Sequence, residues 1–202
     1  TVTPRPGCVG GKAVPIWEGT RPAWLSDWLL HGLAIIDWSE TPHVLTNISV
    51  EWLVSANIAF PREILENIGG FNTRLCRQGN NLLSNGEVFL EKQIIQQGYT
   101  CFYHPEIMIS HHIFKSRLCQ AWFKRRYYWQ GISDAVMQIL QESPSTLQRL
   151  RLAASKTKIL LQSPEKLKRL LLPTKDPEQF TQKCFDLITL GHIYGLLRVA
   201  KP

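Results

Sequence analysis

Between Trp52 and Gly131 the chain gathers side chains whose types and spacing could do chemistry. Glu87 stands in Ser84-Asn-Gly-Glu87-Val88, at the start of a segment in which Val88, Leu90, Ile94 and Ile95 recur at helical spacing. A carboxylate in a first helical turn is kept ionised by the positive end of the helix dipole. In that state it can take a proton from a hydroxyl. A glutamate placed there only to complement the dipole is the competing reading. His111 and His112 follow Pro105 by six and seven residues. A neutral imidazole suits a divalent transition metal, and neighbours on a strand point to opposite faces, so His111 is the candidate ligand ahead of His112. Asn57 closes the run Trp52-Leu-Val-Ser-Ala-Asn57. Its amide can donate and accept, the small residues before it allow close approach, and a strand-end turn former is the plainer alternative. Trp52 and Trp129 could stack on sugar rings or simply fill the core. Arg117, Arg125 and Arg126, beside Tyr127, Tyr128 and Trp129, offer planar forks matched to phosphate oxygens.

These groups need elements to hold them. Ile48 to Ile58 is β-branched, aromatic and free of breakers, which predicts a strand. Pro61 precedes a helix over Arg62 to Ile68, and Gly69-Gly70 stops it. Glu87 to Gln97 is predicted helical, with Gly98 as the stop. Thr100 to Tyr103 and Ile107 to Ser110 are predicted as strands around Pro105. Leu118, Trp122, Trp129, Ile132, Val136 and Ile139 form a stripe that predicts a helix over Phe114 to Leu140, crossed by Lys124-Arg-Arg126. Gly131 in its middle predicts close packing or a bend. Residues 1 to 48, punctuated by proline, glycine and tryptophan, predict loops and short extended pieces, with one short helix over Ala23 to Leu33. Beyond Glu142, Ser143-Pro144, Ser163-Pro-Glu-Lys166 and Asp176-Pro-Glu178 each place a capping residue before a proline.

The order Phe60-Pro, Gly69-Gly-Phe71-Asn72, Leu82-Leu-Ser-Asn-Gly-Glu87, Gly98-Tyr99, Tyr103-His-Pro105, His111 and Arg125-Arg-Tyr-Tyr-Trp-Gln-Gly131 resembles the acceptor-side half of family 2 glycosyltransferases. The resemblance runs over about residues 7 to 135. It implies an α/β chain: the acceptor-side portion of a GT-A-type fold, with an appended basic α-helical C-terminal segment and the donor-binding half absent. The implied activity is inverting transfer of a sugar from a nucleotide-sugar to a glycan or lipid-linked acceptor, as in the assembly of cell-surface polysaccharides. Glu87 would be the base, His111 a metal ligand, and Asn57, Trp52, Arg117, Arg125, Arg126 and Trp129 the substrate-binding set. Three departures weaken it. The family commonly shows two adjacent acids where this chain has Glu87 alone, and Ser55 replaces a glycine. The family's Asp-x-Asp pair is missing: Asp27, Asp37, Asp134, Asp176 and Asp186 never lie two apart. Gly10-Gly-Lys-Ala-Val-Pro15 resembles a passage that follows that pair, so the chain is expected to begin downstream of a donor site. A divalent metal, Mn or Mg, is expected only with the missing donor-binding half. The alternative is a non-catalytic remnant or partner subunit that binds carbohydrate or a membrane surface.

Composition bounds these readings. At 202 residues, 44% hydrophobic and 19% charged, the chain is long and apolar enough for a real core. Residues 1 to 142, the expected acceptor-side domain, hold twelve Lys/Arg and twelve Asp/Glu. Residues 143 to 202, the expected basic tail, hold eleven against four, which accounts for the net charge of +7. Such a tail suits an anionic membrane surface or is a solvated helical face. Nucleic acid is disfavoured, since no RNP, KH or zinc-knuckle pattern is present. No apolar run is long enough to span a bilayer and no signal-peptide pattern is visible. Five scattered cysteines lack the spacing of a zinc half-site and suit reduced thiols. The expected location is cytoplasmic, peripheral at the inner face of the membrane.

Overall fold

The computed structural model describes residues 5–198. They form two compact units that share the chain in alternation. The first takes the chain up to Glu18, then Leu33–Thr73 and Gly86–Phe114; the second takes Gly19–Gly32, Arg74–Asn85 and the chain from Lys115 onward.

The first unit is a small open sheet with helices. Its strands are β1 (Pro6–Trp17), β2 (His43–Val44), β3 (Ile58–Ala59) and β4 (Thr100–Ile113), in the order β2-β4-β1-β3. β1 and β4 pair in parallel, and β2 and β3 add antiparallel edges. A twelve-residue β1 was not expected from a stretch so rich in glycine and proline. Its glycines explain it. A Cβ on Gly10 would stand 2.3 Å from the Asn57 carbonyl oxygen, and one on Gly11 2.2 Å from those of His104 and Ile107. Backbone therefore crowds both positions, and the ladder slips between Gly11 and Ala13. β4 is likewise one strand of fourteen residues rather than two around Pro105.

The strand expected over Ile48 to Ile58 shrinks to Ile58–Ala59. Instead Val50 and Glu51 donate to the Asn47 carbonyl, and Asn57 N donates to the Val54 carbonyl at 2.8 Å. Turns thus carry Ile48, Leu53 and Val54 into the core without a ladder. Helix α1 (Arg62–Ile68) ends as predicted at Gly69, whose φ is +87°. Helix α2 (Gly86–Gln96) lays Leu90 and Ile94 on a core with Cys8, Leu45, Leu53, Cys101 and Tyr103.

The second unit is helical: α3 (Gln120–Glu142), α4 (Thr146–Leu161), α5 (Pro164–Leu171) and α6 (Pro177–Arg198). A 3-10 turn over Lys115–Arg117 precedes α3, and another, Asp27–Leu33, replaces the helix expected from Ala23. Of the close packing or bend expected at Gly131, the structure shows close packing. A Cβ there would lie 1.9 Å from the Ile188 carbonyl oxygen, and one on Gly191 1.9 Å from that of Tyr128. Gly195 faces Ala135 in the same seam, so α3 and α6 meet backbone to backbone. Trp24 meets Phe123 and Phe180 edge-on, with centroids 5.4 and 4.9 Å apart. Ser145, not Ser143, caps α4, by a reciprocal box with Gln148, while Ser143 ends α3 in a left-handed conformation. Asp176 caps α6 through the Gln179 N–H at 2.8 Å. The expected boundary at 142/143 falls inside this unit, because Phe180, Cys184 and Leu196 of α6 are buried in it.

Candidate functional site

In the first unit, Gly86 opens α2 and Glu87 occupies its first turn, half-buried. Asn85, just before it in the chain, has φ +72°, a conformation asparagine tolerates better than most residues. One turn beyond Glu87 lies Glu91, which the sequence did not single out. Its side chain is fully buried, and the Leu53 N–H donates to both of its oxygens, at 3.3 and 3.2 Å. Burial pushes its carboxyl up to about 9, against the opposing Leu53 hydrogen bond, with Cys101 and Glu87 adding to the rise. Glu91 is therefore a neutral acid that ties the Trp52–Leu53 segment to the helix carrying Glu87. Glutamate is so seldom buried that helical spacing alone gave no signal for it.

Glu91 also sets a pH dependence. The unfolded carboxyl loses its proton near 4.5, while the folded one keeps it up to about 9. Between these values the unfolded chain binds fewer protons, so this group makes stability fall as pH rises. The slope is at most about 1.4 kcal/mol per pH unit. Glu91→Gln retains an acceptor for Leu53 and removes the proton. Its stability relative to the parent, from urea midpoints at about pH 5 and about pH 8, is expected to rise with pH. An unchanged difference between the two pH values would show that Glu91 ionises normally.

Asn57 lies just before β3 rather than at the end of a long strand. Its amide nitrogen donates to the Lys12 carbonyl at 2.9 Å and the Ile107 carbonyl at 2.8 Å, bridging β1 and β4 where the ladder slips. Trp52 packs edge-on against Trp38, with centroids 5.0 Å apart, and its carbonyl accepts the Trp38 indole N–H at 2.7 Å. Nearby, Lys12 pairs with Asp37 at 2.8 Å and Glu40 at 3.3 Å. The Asp37 hydrogen bond raises the lysine's pKa, so it stays charged. His111 is on β4 opposite Pro15, and half-buried. Among the described residues no three His, Cys, Asp or Glu side chains gather as a metal would require. Cys8 and Cys101 face one another across β1 and β4, and hydrogen bonding between them, with burial, pushes the Cys8 thiol up and away from reactivity.

The remaining candidates belong to the second unit. Arg117 stacks on Trp122, 5.8 Å from the ring centroid, and burial followed by Arg77 lowers its pKa. Arg125 is exposed and donates to the Asn80 carbonyl. Arg126, where the basic run crosses the apolar stripe of α3, is buried. Trp129 is half-buried, and its carbonyl accepts from Ser133. A polar network missed in the sequence sits beside them. Asn85 Nδ2 donates to Asp134 Oδ1 at 2.7 Å, and Gln130 Nε2 donates to Asn85 Oδ1 at 2.8 Å and Asp134 Oδ1 at 2.9 Å. Burial raises the Asp134 pKa, while Asn85 and Gln130 oppose the rise. Such a network holds Asn85 in its left-handed conformation. Its members are far apart in sequence, which hides it from local motif reading.

The structure therefore brings Trp52, Asn57, Glu87 and His111 into one unit and Arg117, Arg125, Arg126 and Trp129 into the other. Two open grooves lie on the helices of the second unit, and the residues that line them are not among the sequence-predicted site residues.

Across known proteins, the chain is 26% identical over 200 residues to a glucosyl-dolichyl phosphate glucuronosyltransferase of Haloferax volcanii. The match takes in 94% of this chain and 60% of that protein's length. No family model matches the chain, and no solved structure does. A mixed α/β unit with a small open sheet is consistent with a glycosyltransferase-like domain.

Proposed function

We propose that the chain is the acceptor-side, base-bearing part of a sugar transferase that acts on a lipid-linked acceptor. The observation that carries the reading is Glu87 in the first turn of α2, on a helix fastened through Glu91 to the Trp52–Leu53 segment. The likeness to a transferase named for a dolichyl phosphate acceptor supports the same class. In the proposed reaction an acceptor hydroxyl attacks the anomeric carbon of a nucleotide-sugar. Its proton passes to the Glu87 carboxylate, the bond to the nucleoside diphosphate breaks with its electron pair, and the configuration inverts. Trp52 supplies an apolar face for the acceptor. Asn57 acts by fixing the backbone that carries Trp52, since its amide N–H groups are committed to Lys12 and Ile107. His111 alone does not make a cation site, and no step is drawn through a metal.

The test is transfer of labelled sugar from uridine and guanosine diphosphate donors to glycosyl polyprenyl phosphates, by the complete reading frame that contains these residues. Label extracted with the lipid supports the proposal; none, with every donor, overturns it.

The second reading gives these 202 residues a carbohydrate-binding role only, since they contain no Asp-x-Asp pair of their own. A donor diphosphate then has only arginines to hold it. Calorimetric titration of the 202-residue chain with the same donors and Mn²⁺ is expected to show no Kd better than about 1 mM, or about −4 kcal/mol. Micromolar binding would mean that a donor site is complete within this chain.

A further inference from the structure

Helix α4 has two apolar faces. Ala153 and Leu160 are buried, the former in a cluster with Ala135 of α3 and Leu196 of α6. Leu147, Leu150 and Leu161 are 56%, 49% and 61% exposed. At 3.6 residues per turn, these three leucines, Arg151, Ala154 and Lys158 fall within about 100° of one another. Ala153 and Leu160 follow about 60° and 80° beyond its Leu150 edge, so the arc flanks the buried face. It borders an open groove of about 590 Å³ with Ala153 at its floor and Leu197 of α6 on its lining.

Water-facing leucines in a continuous stripe are unusual on a protein surface and mark a contact site. Charge decides which contact. α4 contains Arg149, Arg151, Lys156 and Lys158 and no Asp or Glu. Arg149 turns inward to the Leu196 carbonyl at 2.8 Å, which leaves Arg151 and Lys158 beside the leucines. A second copy meeting this face about a twofold axis would set basic rim against basic rim. An anionic bilayer answers both features, with acyl chains for the leucines and headgroup phosphates for the cations, whose long stems reach from one layer to the other.

We propose that the outer face of α4 docks the chain on an anionic bilayer surface, with Leu147, Leu150 and Leu161 entering the acyl boundary and Arg151 and Lys158 meeting the headgroups. Binding of this kind needs neither donor nor acceptor, so it stands or falls apart from the sugar-transfer proposal. The experiment is flotation of the full chain with phosphatidylcholine vesicles, with and without phosphatidylglycerol. The chain is expected to float with the anionic vesicles only. Arg151→Glu with Lys158→Glu should lower the vesicle partition at least about tenfold. Leu150→Ser with Leu161→Ser should remove the binding that persists in high salt. Ile159→Ser, on an equally exposed residue of the same helix outside the stripe, should float like the parent, with far-ultraviolet dichroism unchanged throughout. Equal flotation with both vesicle types, or a loss in Ile159→Ser matching that of the leucine pair, overturns the proposal. So does a concentration-dependent dimer, by light scattering, that the leucine substitutions dissolve.

Discussion

Glu87→Gln is expected to lower sugar-transfer turnover on the order of 10²- to 10⁴-fold, the range for loss of a positioned general base. The substitution preserves shape and hydrogen-bonding capacity in the first turn of α2 and removes only the ability to take a proton. In the proposed reaction the carboxylate serves the acceptor, so donor binding should stay near that of the parent. The signature is therefore a fall in kcat with little change in donor KM. Glu91→Gln is the internal control. It alters a carboxyl one turn away that is already neutral and keeps an acceptor for the Leu53 N–H, so turnover near neutral pH should hold. If Glu87→Gln changes turnover less than about threefold, Glu87 serves only the helix dipole, where such a change is worth less than about 1 kcal/mol.

The largest stability effect is expected at Gly131. On helix propensity alone, Gly131→Ala should stabilise α3 by up to about 1 kcal/mol. The seam with α6 reverses that sign. The added methyl would stand 1.9 Å from the Ile188 carbonyl oxygen and 2.7 Å from the His192 nitrogen, both backbone atoms that cannot rotate away. Forcing the helices apart at such a point is expected to cost about 2–4 kcal/mol, and more for Gly131→Val. Gly191→Ala should behave the same way against Tyr128. Urea unfolding measures both. A Gly131→Ala protein as stable as the parent, or more so, would mean that α3 and α6 do not meet at their backbones.

The parts of this fold that depend on neighbours in sequence were legible. Pro61 and Gly69 framed α1, helical spacing gave α2 and α3, and Gly131 announced close packing. What failed depended on distant partners. β1 looks like a loop because its glycines mean nothing until Asn57, His104 and Ile107 press against them. The apolar run from Ile48 has strand composition, yet hydrogen bonds to Asn47 and Val54 turn it, and burial comes without a ladder. The site divides along the same line. Glu87 could be placed from helix position alone. Glu91 and the Asn85–Gln130–Asp134 network could not, because what makes them unusual is burial and partners brought from elsewhere in the chain.

The alternation of the chain between its two units has a consequence for how the molecule is made. β1 pairs with β4, roughly ninety residues later in the chain, and α3 waits for α6 before its glycine seam is covered. Neither unit can close on a first contiguous stretch of chain: the first waits for Gly86–Phe114 and the second for the helices that follow Lys115. Parallel pairing across so long a loop is slow to nucleate. A chain released early would expose β1 as an unpaired edge and α3 as a bare apolar stripe, surfaces prone to aggregation. Folding of this part of the protein should therefore depend on chaperones that hold the growing chain until α6 emerges.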